Sequence, residues 1–328
     1  MANVCFHALR ACPLPGFLPI DVGDDMNPGH LSAAPPLKLP PEVGHLMRTV
    51  TPRVALFALT LCASGQGYAQ DMPTSQPRFL TIYREEVKIG RSAEHTKIES
   101  GWPAAYERAK SPDYYLAFVS MTGPNEAWFV VPQQSHASIA EGMKRDDADP
   151  VLSAELARLQ RADAEVLTNS RTMQAMARPD LSQGNFPDLA KTRFFEITWF
   201  RVRPGHEAQF DAAVKAYTAS AKRAAPDASW RTYEIIAGAP SPTFLIFASV
   251  DSYADFDKLV DDGQKSMKGL TADEGTVLQK FAAEGMINSE TNRFRVDPRM
   301  SYVSKAARAV DPAFWMPKKA PTRVTSQP

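Results

Sequence analysis

Between positions 194 and 202 the chain reads Phe194-Phe195-Glu196-Ile197-Thr198-Trp199-Phe200-Arg201-Val202, an aromatic and β-branched run that predicts a strand stopped by the turn Pro204-Gly205. The period then changes. From Glu207 to Ala224, Phe210, Ala213, Val214, Tyr217 and Ala221 recur at helical spacing. Ser229 to Ala237 and Thr243 to Val250 read as a hairpin around Gly238-Ala239-Pro240-Ser241-Pro242. Asp251 or Ser252 then caps a helix with Tyr253, Phe256, Leu259 and Val260 on its buried stripe. A further helix over Leu270 to Ala283 leads into a last strand near Ile287 to Val296.

The same order occurs earlier in the chain. Arg78-Phe79-Leu80-Thr81-Ile82-Tyr83 aligns with Arg193-Phe194-Phe195-Glu196-Ile197-Thr198 at an offset of 115, and Gly123-Pro124 falls opposite Gly238-Ala239. Near the end of each copy the offset is 119, where Glu165 meets Glu284, Asn169-Ser170 meets Asn288-Ser289, Pro179 meets Pro298 and Ser182 meets Ser301. Two copies of one α+β unit are therefore expected, each running strand, helix, strand, strand, helix, helix, strand. The glycine, Asn-Ser and proline matches read as turn chemistry.

That order suits a four-stranded antiparallel sheet with helices on one face, the ferredoxin-like arrangement. Two such sheets packed face to face in one chain would form an intramolecular α/β barrel, viable as a monomer. The expected divisions are a first unit at 77–182, a second at 192–301 and a C-terminal tail at 302–328.

The amino-terminal residues differ in character. Arg48 and Arg53 precede the apolar run Val54 to Ala63, and Gly67-Tyr68-Ala69 places small residues at −3 and −1, the layout of a secretory signal at 47–69 cleaved after Ala69. The apolar run is half the ~20 residues that a membrane-spanning helix needs. Cys62 as a lipoprotein site is the weaker reading, because Leu61 is not small. Residues 1–46, rich in proline, read as a disordered leader or a start-site artefact. Export to the periplasm or outside the cell is the expectation.

Composition narrows the chemistry. Lysine plus arginine and aspartate plus glutamate both number 37, so no net field draws the protein to nucleic acid or an anionic membrane. Cys5, Cys12 and Cys62 all precede the cleavage point, which leaves a mature chain without disulfide, thiolate or cysteine-bound metal.

The segment Phe195 to Glu207, containing Phe200-Arg201-Val202-Arg203-Pro204-Gly205-His206-Glu207, together with Val250-Asp251-Ser252-Tyr253-Ala254-Asp255-Phe256, resembles the dimeric α/β-barrel superfamily of antibiotic-biosynthesis monooxygenases and NIPSNAP-like proteins. The resemblance covers both copies. It implies a fold that hosts cofactor-free oxygenases, haem-binding and haem-degrading proteins, chlorite dismutases, isomerases and members without activity, so it selects no function.

Candidate residues are few. His95 occupies the helix position matched by Phe210, which suits a packed side chain better than a haem ligand. His136 and His206 read as surface residues near turns. No histidine–carboxylate spacing stands out for a metal, and neither metal nor cofactor is expected. Adjacent Glu85 and Glu86 point to opposite faces of a strand and cannot act as a pair. Glu196 shares its strand face with Phe194 and Thr198, where a buried acid with a raised pKa could serve as a base, although an edge position is the simpler account. Tyr83, Trp128, Trp199 and Trp230 are core candidates that could also line an apolar cavity between sheet and helices. The leading expectation is a protein that binds a small hydrophobic molecule. A cofactor-free oxygenase or isomerase using Glu196, His95 or Tyr83 is the alternative, and a structural or partner-binding role is the third.

Overall fold

A computed structural model describes residues 72–316. The expected leader, signal segment and cleavage point lie outside the described residues. In the first half the elements are β1 (Phe79–Val87), α1 (Ser92–Glu99), α2 (Gly101–Ala109), β2 (Leu116–Ser120), β3 (Glu126–Gln133), α3 (His136–Ala148), α4 (Pro150–Ala164) and β4 (Leu167–Ala177). The second half has β5 (Phe194–Val202), α5 (Glu207–Ala224), β6 (Arg231–Ala237), β7 (Thr243–Val250), α6 (Asp255–Lys268), α7 (Ala272–Lys280) and β8 (Met286–Val296). Two short helices follow, α8 (Lys305–Val310) and α9 (Pro312–Trp315). Among the described residues no helix is long and apolar enough to cross a membrane.

The eight strands close into one antiparallel barrel in the order β1-β3-β2-β8-β5-β7-β6-β4. The halves are joined by hydrogen bonding along strand edges, which the face-to-face expectation did not include. β2 pairs with β8 (Phe118↔Val296) and β4 with β6 (Ala177↔Tyr233). Closure leaves no edge strand open to a passing chain. Alternation then divides each strand: Leu80 and Ile82, Phe118, Trp128 and Val130, Met173, Phe195 and Ile197, Ile235, Leu245 and Phe294 fill the barrel, while the opposite faces lie under helices.

Matching contacts recur in the two halves. Ser301 Oγ accepts from the Ala117 amide at 2.9 Å, and Ser182 Oγ accepts from the Thr232 amide at 3.0 Å. Asp297 N donates to Ala117 O as Arg178 N donates to Thr232 O. Isolated bridges tie Tyr115 to Tyr302 and Gln183 to Trp230. In each case the segment after a half's last strand clips onto the other half. Beside these clips stands an ion pair in opposite senses, Arg178 with Asp180 and Asp297 with Arg299.

Local chemistry explains several departures from the sequence reading. The first helix of the first half breaks at Ser100, because Pro103 has no amide to bond back to the carbonyl of Glu99. Gly101 sits at that break, where a Cβ would lie 2.6 Å from Leu159. Gly90 and Gly205 do turn the chain, at φ 83° and 86°. Asn169-Ser170 and Asn288-Ser289 instead lie inside β4 and β8 at exposed or half-buried positions, so the turn reading is corrected there. α6 begins at Asp255, not at an Asp251 or Ser252 cap: Asp255 accepts from the Ser252 amide at 2.9 Å. Tyr253 is consequently exposed. Beyond position 302, Val303, Ala307 and Trp315 are buried against the barrel, and Trp315 Nε1 donates to Ala190 O at 2.9 Å.

Candidate functional site

The barrel has two unlike ends. At one end β1, β2, β5 and β6 begin and β3, β4, β7 and β8 finish, and here a cavity of about 70 Å³ lies among Leu116, Phe118, Val130, Phe195, Tyr233 and Phe247. The arm around Met72 and Pro77 and the linker Phe186-Pro187 cover it. One water needs roughly 10–15 Å³ by this measure, so the space accommodates several waters or a small apolar group. The rings of Phe118 and Phe195 are 4.5 Å apart and those of Tyr233 and Phe247 5.7 Å, a rigid aromatic wall.

Two polar groups meet this wall. Arg231 is buried, and its guanidinium donates to the carbonyls of Gln183, Trp230 and Gly184, each at 2.7 Å. No carboxylate among the described residues forms an ion pair with it. Burial lowers the Arg231 pKa, and the neighbouring Tyr233 opposes that shift. Burial likewise raises the Tyr233 phenol, with Arg231 and Gln76 opposing.

The opposite end is polar. Arg84 forms an ion pair with buried Glu126, and its guanidinium lies 5.6 Å from the Trp128 ring centroid and 5.4 Å from that of Trp199. The two indoles meet edge to face at 5.6 Å. Burial raises the Glu126 pKa, and Arg84 counters it.

A third polar group lies outside the barrel, between the sheet and the helices of the first half. His95 and Glu99, one turn apart on α1, face Glu85 on β1, and His95 Nε2 is 2.9 Å from Glu85 Oε2. Asp163 on α4 completes the group, accepting from Trp102 Nε1 at 3.3 Å through Oδ2. His95, Glu99 and Asp163 are each 4% exposed or less. Burial, then Glu85 and Asp163, push the Glu99 carboxyl well above the ordinary carboxylate range, and burial raises Asp163 as well. The Tyr115 hydroxyl above them is raised by burial and by Glu99, and has no hydrogen-bond partner.

The four aromatic candidates do not line one cavity. Trp128 and Trp199 share the polar barrel end. Trp230 is locked in the helix-facing layer, its Nε1 donating to Leu181 O at 3.0 Å, and only borders the cavity. Tyr83 points outward from β1, beside neither. Glu196 is buried on the helix-facing side of β5 and ion-paired with Arg293 at 3.2 Å. His136 is exposed, and His206 is half-buried against Gln209. Sequence reasoning missed the cavity, because its walls come from both halves and from two segments between elements. The histidine cluster left a signal in the i, i+4 pair His95 and Glu99, which share one helix face. Glu85 and Asp163 reach it only through tertiary packing.

No protein-family model matches the sequence, and no curated protein does. Among solved structures the chain is similar to a candidate monooxygenase of Fusobacterium nucleatum, at 10% identity and a TM-score of 0.46 over 68% of this chain and 94% of that one. It is also similar to an anthrone oxidase-like protein, at 12% identity and a TM-score of 0.43 over 69% and 93%. A variant of the chlorite dismutase of Candidatus Nitrospira defluvii gives 7% identity and a TM-score of 0.42 over 69% and 94%.

Proposed function

We propose that the protein binds a small, mainly apolar molecule in the barrel-end cavity. The observation that supports this is the aromatic pocket of Phe118, Phe195, Tyr233 and Phe247 beside a buried guanidinium whose hydrogen bonds, among the described residues, go to backbone carbonyls. An apolar body would fill the ring-lined space, and an oxygen-bearing end would face Arg231. Tyr83, His95 and Glu196 all lie on the helix-facing side of the sheet, so none is aimed into the cavity as the base that an oxygenase or isomerase reading would call on. Tyr233, Ser229 and Ser249 supply the hydroxyls that border the cavity.

In the same reading the chain is a tandem duplication of a ferredoxin-like unit. The strand orders β4-β1-β3-β2 and β8-β5-β7-β6 and the reciprocal serine clips support it. The barrel is then complete within one chain, which acts as an exported monomer. Amino-terminal sequencing from the native host with a start near Gln70, and light scattering at the mass of one chain, check these two points. A start at Met1 or an obligate dimer contradicts them.

Binding is tested by thermal unfolding with toluene and with benzoate. Both should raise the Tm of the wild type, benzoate more, and neither should raise that of Val130→Phe, whose larger ring fills the cavity. A shift that survives Val130→Phe in a folded protein, or no shift in the wild type, contradicts the reading.

A further inference from the structure

Glu85, His95, Glu99 and Asp163 form a group that folding alone does not account for. Two carboxyls and an imidazole are nearly withdrawn from water, Glu85 keeps a side-chain exposure of only 15%, and no lysine or arginine among the described residues pairs with Glu85, Glu99 or Asp163. Burying acidic groups without a cation is costly. At the offset of 115 the second half places Phe200, Phe210 and Val214 where the first has Glu85, His95 and Glu99, so the scaffold accepts an apolar filling here. The polar version calls for a positive charge.

Asp163 Oδ1 is buried with no donor among the described residues except a proton shared with the neighbouring Glu99 carboxyl, a place that a cation could take. The ligand atoms of Glu85, His95 and Glu99 lie within 4.8 Å of one another. Around an ion bound tetrahedrally at about 2.0–2.2 Å, ligand atoms stand about 3.4 Å apart, so side-chain shifts of up to about an ångström close the set.

We propose that Glu85, His95 and Glu99, with Asp163 Oδ1 as fourth ligand, hold a divalent first-row transition-metal ion between the sheet and the helices of the first half. One imidazole with carboxylates and no thiolate suits zinc or cobalt, whereas magnesium prefers an all-oxygen octahedron that retains water. With four protein ligands the ion is structural: it ties β1, α1 and α4 together. Glu85, the most exposed of the four, lies on the route of entry.

The full chain, stripped with a chelator, should be titrated with Zn²⁺, Co²⁺ and Mg²⁺. The expected result is one equivalent of Zn²⁺ or Co²⁺ per chain, a visible Co²⁺ absorption band, a rise in Tm and no competition by Mg²⁺. His95→Gln and Glu99→Gln should each weaken binding by at least about tenfold. No uptake by the wild type overturns the proposal and leaves a cluster held by shared protons. Uptake unchanged in both folded variants overturns it too, by placing the ion elsewhere. If neither variant folds, X-ray absorption of the Zn²⁺-loaded wild type decides: one imidazole with oxygen neighbours supports the site, and a shell without imidazole refutes it.

Discussion

The layers between sheet and helices in the two halves have opposite contents. In the second half Phe210 stacks on Phe244 at 4.1 Å and meets Phe200 and Phe281 at 5.6 and 5.5 Å. In the first half, the equivalent strand and helix positions carry Glu85, His95 and Glu99, with Phe129 6.5 Å from the histidine ring. Dispersion and exclusion of water hold the ring cluster, and every side chain there contributes by burial alone. The polar layer gains nothing from burial and depends on what neutralises it. A scaffold that tolerates both fillings marks the costly one as the one with a task.

The apolar layer is most sensitive at its centre. Phe210→Ala should cost about 3–5 kcal/mol in urea unfolding, the range for deleting a buried phenyl ring. Copying the second half into the first, with Glu85→Phe, His95→Phe and Glu99→Val together, should instead leave the metal-free protein equally stable or more stable by about 1–4 kcal/mol, as when buried ionic groups are replaced by packed apolar ones. A large loss in that triple variant would mean that the polar layer is stabilising in itself.

A smaller effect comes from the reversed ion pair. Asp297 is buried, which raises its pKa, but hydrogen bonds from the side chain and amide of Arg299 outweigh that and bring it below the ordinary value. A depressed folded pKa contributes stability that is fully present above the unfolded value of about 3.9 and is lost as pH falls through the folded value. Asp297→Asn should therefore cost about 1.5–3 kcal/mol at neutral pH, with the difference from wild type closing as pH falls below the unfolded value of about 3.9 in acid titrations of unfolding.

The smallest test concerns the clips. Ser182→Ala and Ser301→Ala each remove the acceptor of one amide between halves, and should cost about 1 kcal/mol apiece and nearly equally. Unequal costs in chemical denaturation would show that the matching contacts are not energetically equivalent.

Strands and long helices were legible because their periods are local: Phe194–Val202, Glu207–Ala224 and Thr243–Val250 appear with the bounds their patterns predict. The break at Ser100 hid in plain view, since Pro103 falls inside an otherwise helical stretch. Asn169 and Asn288 misled because asparagine favours turns when only local preference is weighed, whereas each here belongs to a long strand held by its neighbours. Function was the least legible. The four candidate aromatics were chosen by residue type, but a strand's two faces send Tyr83 and Trp199 to opposite sides of the sheet. The walls of the cavity come from six strands and the segments that lead into β1, β5 and β6, a meeting that only barrel closure brings about.

In the proposed function the barrel end, and not either helix–sheet layer, holds the space for an apolar ligand. Xenon enters dry apolar cavities and scatters strongly enough to be located. In a crystal of the protein under xenon pressure, the main xenon peak should sit between Phe118, Phe195 and Phe247. Xenon confined to the layer around Phe210 or near Tyr83, with none at the barrel end, would contradict the account.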